Sequence, residues 1–194
     1  RRNFMQEELQ TMLKDCHLCP RNCGVDRLAG QKGFCGVDAG IMVARAALHM
    51  WEEPCISGKE GSGAVFFSGC SLGCVFCQNR TISKGQSGKV ITVERLAELF
   101  LDLQGQKANN INLVTAGHFL PQVREALILA KEQGLTIFLT SHFMDEVEAL
   151  CDEICFLKKG TPVFRGTVEQ AKQQCGCEHF EDAYLQLSDE EVDA

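Results

Sequence analysis

The chain has 194 residues, 45% of them apolar, and a formal net charge of −7. That length fits one domain with at most an appendage, and the acidic balance excludes broad binding to nucleic-acid phosphates. No run reaches the roughly 18 apolar residues of a membrane helix, and the start, Arg1-Arg2-Asn3, lacks an apolar leader core, so a cytoplasmic protein with no membrane span is expected.

Met5, Leu9, Met12 and Leu13 recur at helical spacing, which predicts an amphipathic helix over residues 3–14. A cysteine-rich segment follows, with Cys16, Cys19, Cys23 and Cys35 threaded by Gly24, Gly30, Gly33 and Gly36. Twelve cysteines without a secretory signal favour metal ligation over disulfides. Four thiolates close a coordination shell, either for tetrahedral zinc or for an iron–sulfur cluster. A closed shell suits structure or electron relay. His17 between these ligands reads as solvent-facing.

Ala64 to Ser68 reads as a short apolar strand, and Cys70-Ser-Leu-Gly-Cys74-Val-Phe-Cys77 follows it at once. A [4Fe–4S] cube normally takes four thiolates. Three on one loop leave an iron open to a ligand that is not protein. Zinc sites more often use paired CxxC ligands.

Thr92 is a good N-cap for a helix whose face is Leu96, Leu99, Phe100 and Leu103. Ile111 to Thr115 is expected as a second strand. Pro121 opens a helix that Gly134 stops, and Leu135 to Thr140 is expected as a third strand. Strand–helix alternation implies parallel pairing with right-handed crossovers and loops at the strands' carboxyl ends that carry chemistry. Further strands are expected at about 153–157 and 162–165, with Lys158-Lys159-Gly160 as a turn. Ile137, Leu139, Ile154 and Phe156 are expected to be buried.

The CxxxCxΦC loop, with Phe76 and Asn79, resembles the cluster loop of radical S-adenosylmethionine (SAM) enzymes. The resemblance implies that Cys70, Cys74 and Cys77 ligate a [4Fe–4S] cluster, that SAM chelates the open iron, and that Phe76 lies near the adenine. CxLCPRxC…GxxGxCG, then Val43-Ala-Arg45, His49-Met-Trp-Glu-Glu-Pro-Cys55 and Gly63-Ala-Val-Phe-Phe-Ser-Gly-Cys70, resemble homologues of pyruvate formate-lyase activating enzyme from about Cys16 to Gly134. This implies an oxidoreductase that abstracts a hydrogen atom, for activators the Cα–H of a glycine on a glycyl radical enzyme. It also implies an electron donor such as flavodoxin or ferredoxin, low oxygen, and a protein substrate as partner. By position in that family, Thr115, Ala116, Gly117 and His118 meet SAM, although an ordinary loop histidine is equally open at 118. No residue is assigned as catalytic. Trp51 to Cys55 is placed near a barrel entrance; two solvated carboxylates also account for Glu52 and Glu53.

From Gly134 the resemblance changes. Residues 134–154, Leu157-Lys-Lys-Gly160, Val163-Phe-Arg-Gly166 and Phe180-Glu-Asp-Ala-Tyr184-Leu resemble the end of an ABC-transporter ATPase domain, with His142 at the switch-loop position. No GxxxxGK[ST] loop occurs anywhere in the chain, so no ATP site is expected. Cys151, Cys155, Cys175 and Cys177 read as incidental thiols. The chain thus reads as a junction of two genes with an α/β fold: a metal-binding extension at 1–60, a partial (β/α) radical SAM-type barrel at 61–134 and an ABC-ATPase-like tail at 135–194. A non-catalytic metal-binding protein and an ATPase fragment are the alternatives.

Overall fold

In the computed structural model, which describes residues 10–85 and 87–189, the apolar run before Cys70 is a strand. The elements through residue 136 are β1 (Ile41–His49), α1 (Pro54–Ser57), β2 (Ser62–Phe67), α2 (Arg80–Ser83), β3 (Lys89–Ile91), α3 (Val93–Gly105), β4 (Ile111–Val114) and α4 (Leu120–Glu132). Of the helix expected over 3–14, residues 10–14 are helical and Leu13 is buried; Met5 and Leu9 lie outside the described residues.

The strands form one open sheet in the order β3-β1-β2-β4. β1 is antiparallel to both β2 and β3, and only β2 and β4 run parallel. This corrects the expectation of an all-parallel, barrel-like arrangement. The cause is β1, which the sequence pattern did not announce. Its centre, Ala44-Arg45-Ala46-Ala47, is poor in the β-branched and aromatic residues that mark strands. The parallel pair does obey the crossover rule, because α3 lies between β2 and β4 in the chain.

Helix α3 starts where Thr92 accepts a hydrogen bond from the Arg95 amide, and buries Leu96, Ala97, Phe100 and Leu103; Leu99 is half-buried. It packs with α4, whose Val123, Ala126 and Ala130 share a core with Val65, Phe67 and Phe119. Cys35 and Val37 belong to that same core, so the cysteine-rich segment is built into the sheet's packing.

Residues 135–140 are not a strand. Gly134, at φ +97°, ends α4: its amide reaches the Lys131 carbonyl and the Leu135 amide reaches that of Ala130. These two bonds make a Schellman cap, which turns the chain and buries Leu135. Beyond it, Phe138 is 91% exposed, and Ile137 and Leu139 are exposed as well, contrary to expectation. With no ladder partner, β-prone residues gain nothing from extension.

The chain divides into the units Arg1–Thr136 and Ile137–Ala194. The second comprises α5 (Met144–Leu150), the antiparallel hairpin β5 (Ile154–Lys158) and β6 (Thr161–Gly166), α6 (Val168–Cys175) and α7 (Phe180–Asp189). Lys159 and Gly160, at φ 49° and 81°, form the expected tight turn. Ile154 and Phe156 are buried as expected, and Phe156 touches the rings of Phe164, Phe180 and Tyr184 at 5.5, 5.8 and 5.0 Å. Thr167 and Gln170 close a capping box at the start of α6.

Phe100 is fully buried between helix and sheet. Phe100→Ala should cost about 3–5 kcal/mol. Hydrogen exchange should accelerate across β2, β4 and α4 while β5 and β6 keep their protection; uniform loss over the whole chain would contradict two separate units.

Candidate metal centres

β2 delivers its chain into the interior at Ser68 and Gly69, and the three-cysteine loop begins there. Gly69 sits at φ +85°, and a Cβ on it would lie 2.7 Å from the Cys35 carbonyl oxygen and 3.2 Å from His118 Nε2. Only glycine tolerates both the dihedral and the contact. The Gly69 amide donates to the Ile82 carbonyl, which ties α2 back under the loop.

Cys70 is buried, Cys77 is half-buried and Cys74 faces solvent; all are free thiols. The Leu72 amide donates to Cys70 Sγ at 3.4 Å. Cys70 and Cys74 line a cavity of about 440 Å³ together with Phe34, Cys35, Gly36 and Arg80. Phe76 stands 88% exposed.

The four cysteines of the N-terminal segment are also free, with Cys16 and Cys35 buried and Cys19 and Cys23 half-buried. Tight turns bring them inward: the Gly24 amide bonds the Cys16 carbonyl, and the Asn22 amide bonds that of Cys19. The Phe34 amide points at Cys23 Sγ from 3.4 Å. Burial pushes the Cys35 thiol up, with Val37 and Arg27 opposing, and the thiols of Cys16 and Cys19 are near enough to raise it further. Among the described residues, however, no three His, Cys, Asp or Glu side chains are gathered closely enough to hold a metal ion. Each set has donors of the right kind on neighbouring turns, but neither is drawn into a coordination shell. His17 is exposed, as expected, and bonds Asp15 and Asn22.

Two arginines that sequence reasoning gave no role link these parts. Arg21, between Cys19 and Cys23, donates to the carbonyls of Ser71 and Leu72 at 2.8 and 2.9 Å and lies 3.7 Å over the Phe34 ring. Arg27, 1% exposed, donates to the carbonyls of Asp38 and His118. The only sequence signal was their position inside the cysteine-rich motif.

The Thr115–His118 segment is a left-handed residue followed by a short 3₁₀ turn. Thr115, at φ 61°, is held by its hydroxyl donating to the Phe67 carbonyl at 3.0 Å; such strain in a non-glycine residue concentrates at functional sites. Thr115 and Gly117 are exposed and Ala116 is half-buried. His118 turns inward, 3% exposed, and its Nε2–H donates to the Ser68 carbonyl at 3.0 Å. Burial lowers its pKa, Arg27 adds to that, and the Ser68 bond opposes it. Trp51 stands on the surface, with Glu53 exposed and Glu52 half-buried. In the second unit, His142 is exposed beside Phe143. Cys175 and Cys177 direct their thiols at the carbonyls of Ala183 and Cys175.

Residues 56–149 match the model of the 4Fe-4S single cluster domain family. The match includes Cys70, Cys74 and Cys77 and leaves the N-terminal four outside. Its description specifies a 4Fe-4S cluster and does not specify SAM, a radical or an activating role. An uncharacterized protein of Methanocaldococcus jannaschii is 35% identical over 85 residues, 44% of this chain and 24% of that protein. An uncharacterized ABC transporter ATP-binding protein of Alkalihalophilus pseudofirmus is 45% identical over 51 residues, 26% of this chain and 19% of the relative. One from Bacillus subtilis is 41% identical over 54 residues, 28% of this chain and 18% of the relative. The chain therefore spans less than a quarter of the length of each of these three relatives. No solved structure matches it. No helix among the described residues is long and apolar enough to cross a membrane.

Arg21→Ala removes two charged hydrogen bonds from a solvent-facing loop, a loss of about 1 kcal/mol or less for each after screening. Iodoacetamide should then alkylate Cys70 several-fold faster in metal-free protein; an unchanged rate would mean that Arg21 does not hold the loop. His118 binds its proton less readily folded than unfolded. Stability should be full above the ordinary histidine value of about 6.5 and fall as pH drops toward the lowered folded value. In His118→Gln the difference in urea midpoint between about pH 7.5 and 5.5 should shrink; an identical difference would assign the pH dependence elsewhere.

Proposed function

We propose that this chain is an iron–sulfur protein of radical SAM type, with Cys70, Cys74 and Cys77 as ligands of a [4Fe–4S] cluster that leaves one iron to SAM. The observation that carries the reading is three free thiols on one loop at the carboxyl end of β2, inside the stretch that matches a 4Fe-4S single cluster domain. The cavity lined by Cys70 and Cys74 gives room for a bound group.

Held by Cys70, Cys74 and Cys77, a reduced [4Fe–4S] cluster would supply the single electron for reductive cleavage of SAM, and through it hydrogen-atom abstraction from a substrate. The chain's own residues bind and orient. Phe76 offers an exposed aromatic face for the adenine. Thr115, Ala116 and Gly117 would meet the amino group of SAM through their backbone, while His118, turned inward, fixes that turn on Ser68. Cys16, Cys19, Cys23 and Cys35 hold a separate closed-shell metal, either a second iron–sulfur cluster or zinc.

The finer assignment is activation of a glycyl radical enzyme, with electrons from a flavodoxin or ferredoxin, in a low-oxygen cytoplasm. It rests on the motif resemblance between Cys16 and Gly134. A second reading, a non-catalytic iron–sulfur fusion protein, is favoured by the sheet, which stays open at four strands. The tail's likeness to ABC transporter ATP-binding proteins does not bring ATP chemistry, since the chain has no phosphate-cradling glycine-rich loop with its lysine.

Anaerobic reconstitution with iron and sulfide tests the reading. Changing Cys70, Cys74 and Cys77 to Ala should remove about four irons per chain and abolish 5′-deoxyadenosine formation under dithionite. Unchanged iron content in the triple variant would sink the ligand assignment. Full iron content without SAM cleavage in the unaltered protein would favour the non-catalytic reading.

A further inference from the structure

Arg27 carries a buried charge that has no carboxylate partner among the described residues. Its guanidinium is 1% exposed, and Nε and Nη2 donate to the Asp38 carbonyl at 3.1 and 2.6 Å while Nη1 donates to the His118 carbonyl. These bonds satisfy donors but leave a full positive charge among neutral carbonyls. Among the described residues no carboxylate lies within ion-pair distance of it. The ring of Phe119, 5.4 Å away, offers only a weak cation–π contact. Buried charges are paired or coordinate metals, because an unpaired one is costly. Sulfur lies beside it: Nη1 is 4.0 Å from Cys16 Sγ, in the interior, and the charge of Arg27 also acts on the Cys35 thiol.

We propose that Arg27 is the built-in counter-charge of an anionic metal–thiolate centre formed by Cys16, Cys19, Cys23 and Cys35. The inference rests on the reading of those four cysteines as one metal site. It does not depend on which metal is bound. Four thiolates around Zn²⁺, or around a [4Fe–4S]²⁺ core, both leave about two negative charges. Either would place anionic sulfur beside the guanidinium, where a thiol places none. Arg27 also joins that centre to the second one, because its Nη1 shares the His118 carbonyl, and His118 holds Ser68, two residues before Cys70. Arg27 is thus a positioning residue between the two cysteine sets, not a ligand of either.

The test uses the full chain with Cys70, Cys74 and Cys77 changed to Ala, so that Zn²⁺ loads only the N-terminal set. Zn²⁺ affinity is read by competition with a chelator, and thermal unfolding is followed with and without Zn²⁺. In this background Arg27→Met should weaken Zn²⁺ binding about tenfold to hundredfold, the range expected for loss of an outer-shell partner. Arg27→Met should cost more thermal stability in the Zn²⁺-loaded protein than in the metal-free one, because the lost carbonyl bonds are common to both states and only the loaded centre presents anionic sulfur to the guanidinium. Arg27→Lys, which keeps the charge but not the forked hydrogen bonds, should recover part of the affinity. Equal weakening in both variants would assign the loss to packing and overturn the counter-charge role, as would Zn²⁺ affinity unaltered by Arg27→Met. If the parent itself binds no Zn²⁺ through these thiols, the metal reading of the four cysteines fails, and the inference with it.

Discussion

The close approach at Gly69 is the constraint on which the candidate site depends. Three parts of the chain meet where a side chain would stand: the end of β2, the Cys35 carbonyl and the His118 ring. Because Gly69 precedes Cys70, this contact fixes the first thiol of the loop relative to both the cysteine-rich segment and the turn after β4. Arg21 and Arg27 reinforce the same junction, one through the carbonyls of Ser71 and Leu72, the other through that of His118. The N-terminal segment is therefore not an appendage threaded loosely ahead of the sheet; Cys35 and Val37 sit in its core.

Elements governed by local rules were legible in the sequence. Thr92, Pro121 and Gly134 marked helix ends because capping is decided within a few residues. The hairpin around Lys159-Gly160 was legible for the same reason. What failed depended on partners far away in the chain. β1 is a strand because Ile41, Val43 and their neighbours find edges on both sides, and its alanines gave no sign of it. Leu135 to Thr140 carried the composition of a strand and found no edge to join, so Ile137 and Leu139 are exposed.

The candidate site divides along the same line. Spacing alone picked out two cysteine groups, because ligand spacing is a local property. It could not say that the two groups are neighbours, with Cys35 and Cys70 lining one cavity. It was silent on Arg21 and Arg27, whose importance comes from carbonyls up to 91 residues away. The inward turn of His118, whose Nε2–H donates to the Ser68 carbonyl, was likewise beyond what spacing could show.

The openness of the sheet bears on what the loop can do. Radical chemistry at a cluster needs water kept from the reacting carbon, and a closed barrel achieves this with its own walls. Here β4 stands at one end of a four-stranded sheet, and Leu72, Val75 and Phe76 project from the loop largely exposed. A small molecule resting on such a rim would stay in contact with solvent. A macromolecular surface could cover it, burying the three apolar side chains as it seats a reacting residue against the loop. Among the described residues these three side chains stay largely exposed, so a radical reaction at the rim would need a cover from outside them. That requirement separates the radical reading from the non-catalytic one on physical grounds: the former needs a partner surface shaped to the rim, and the latter needs only thiols and iron.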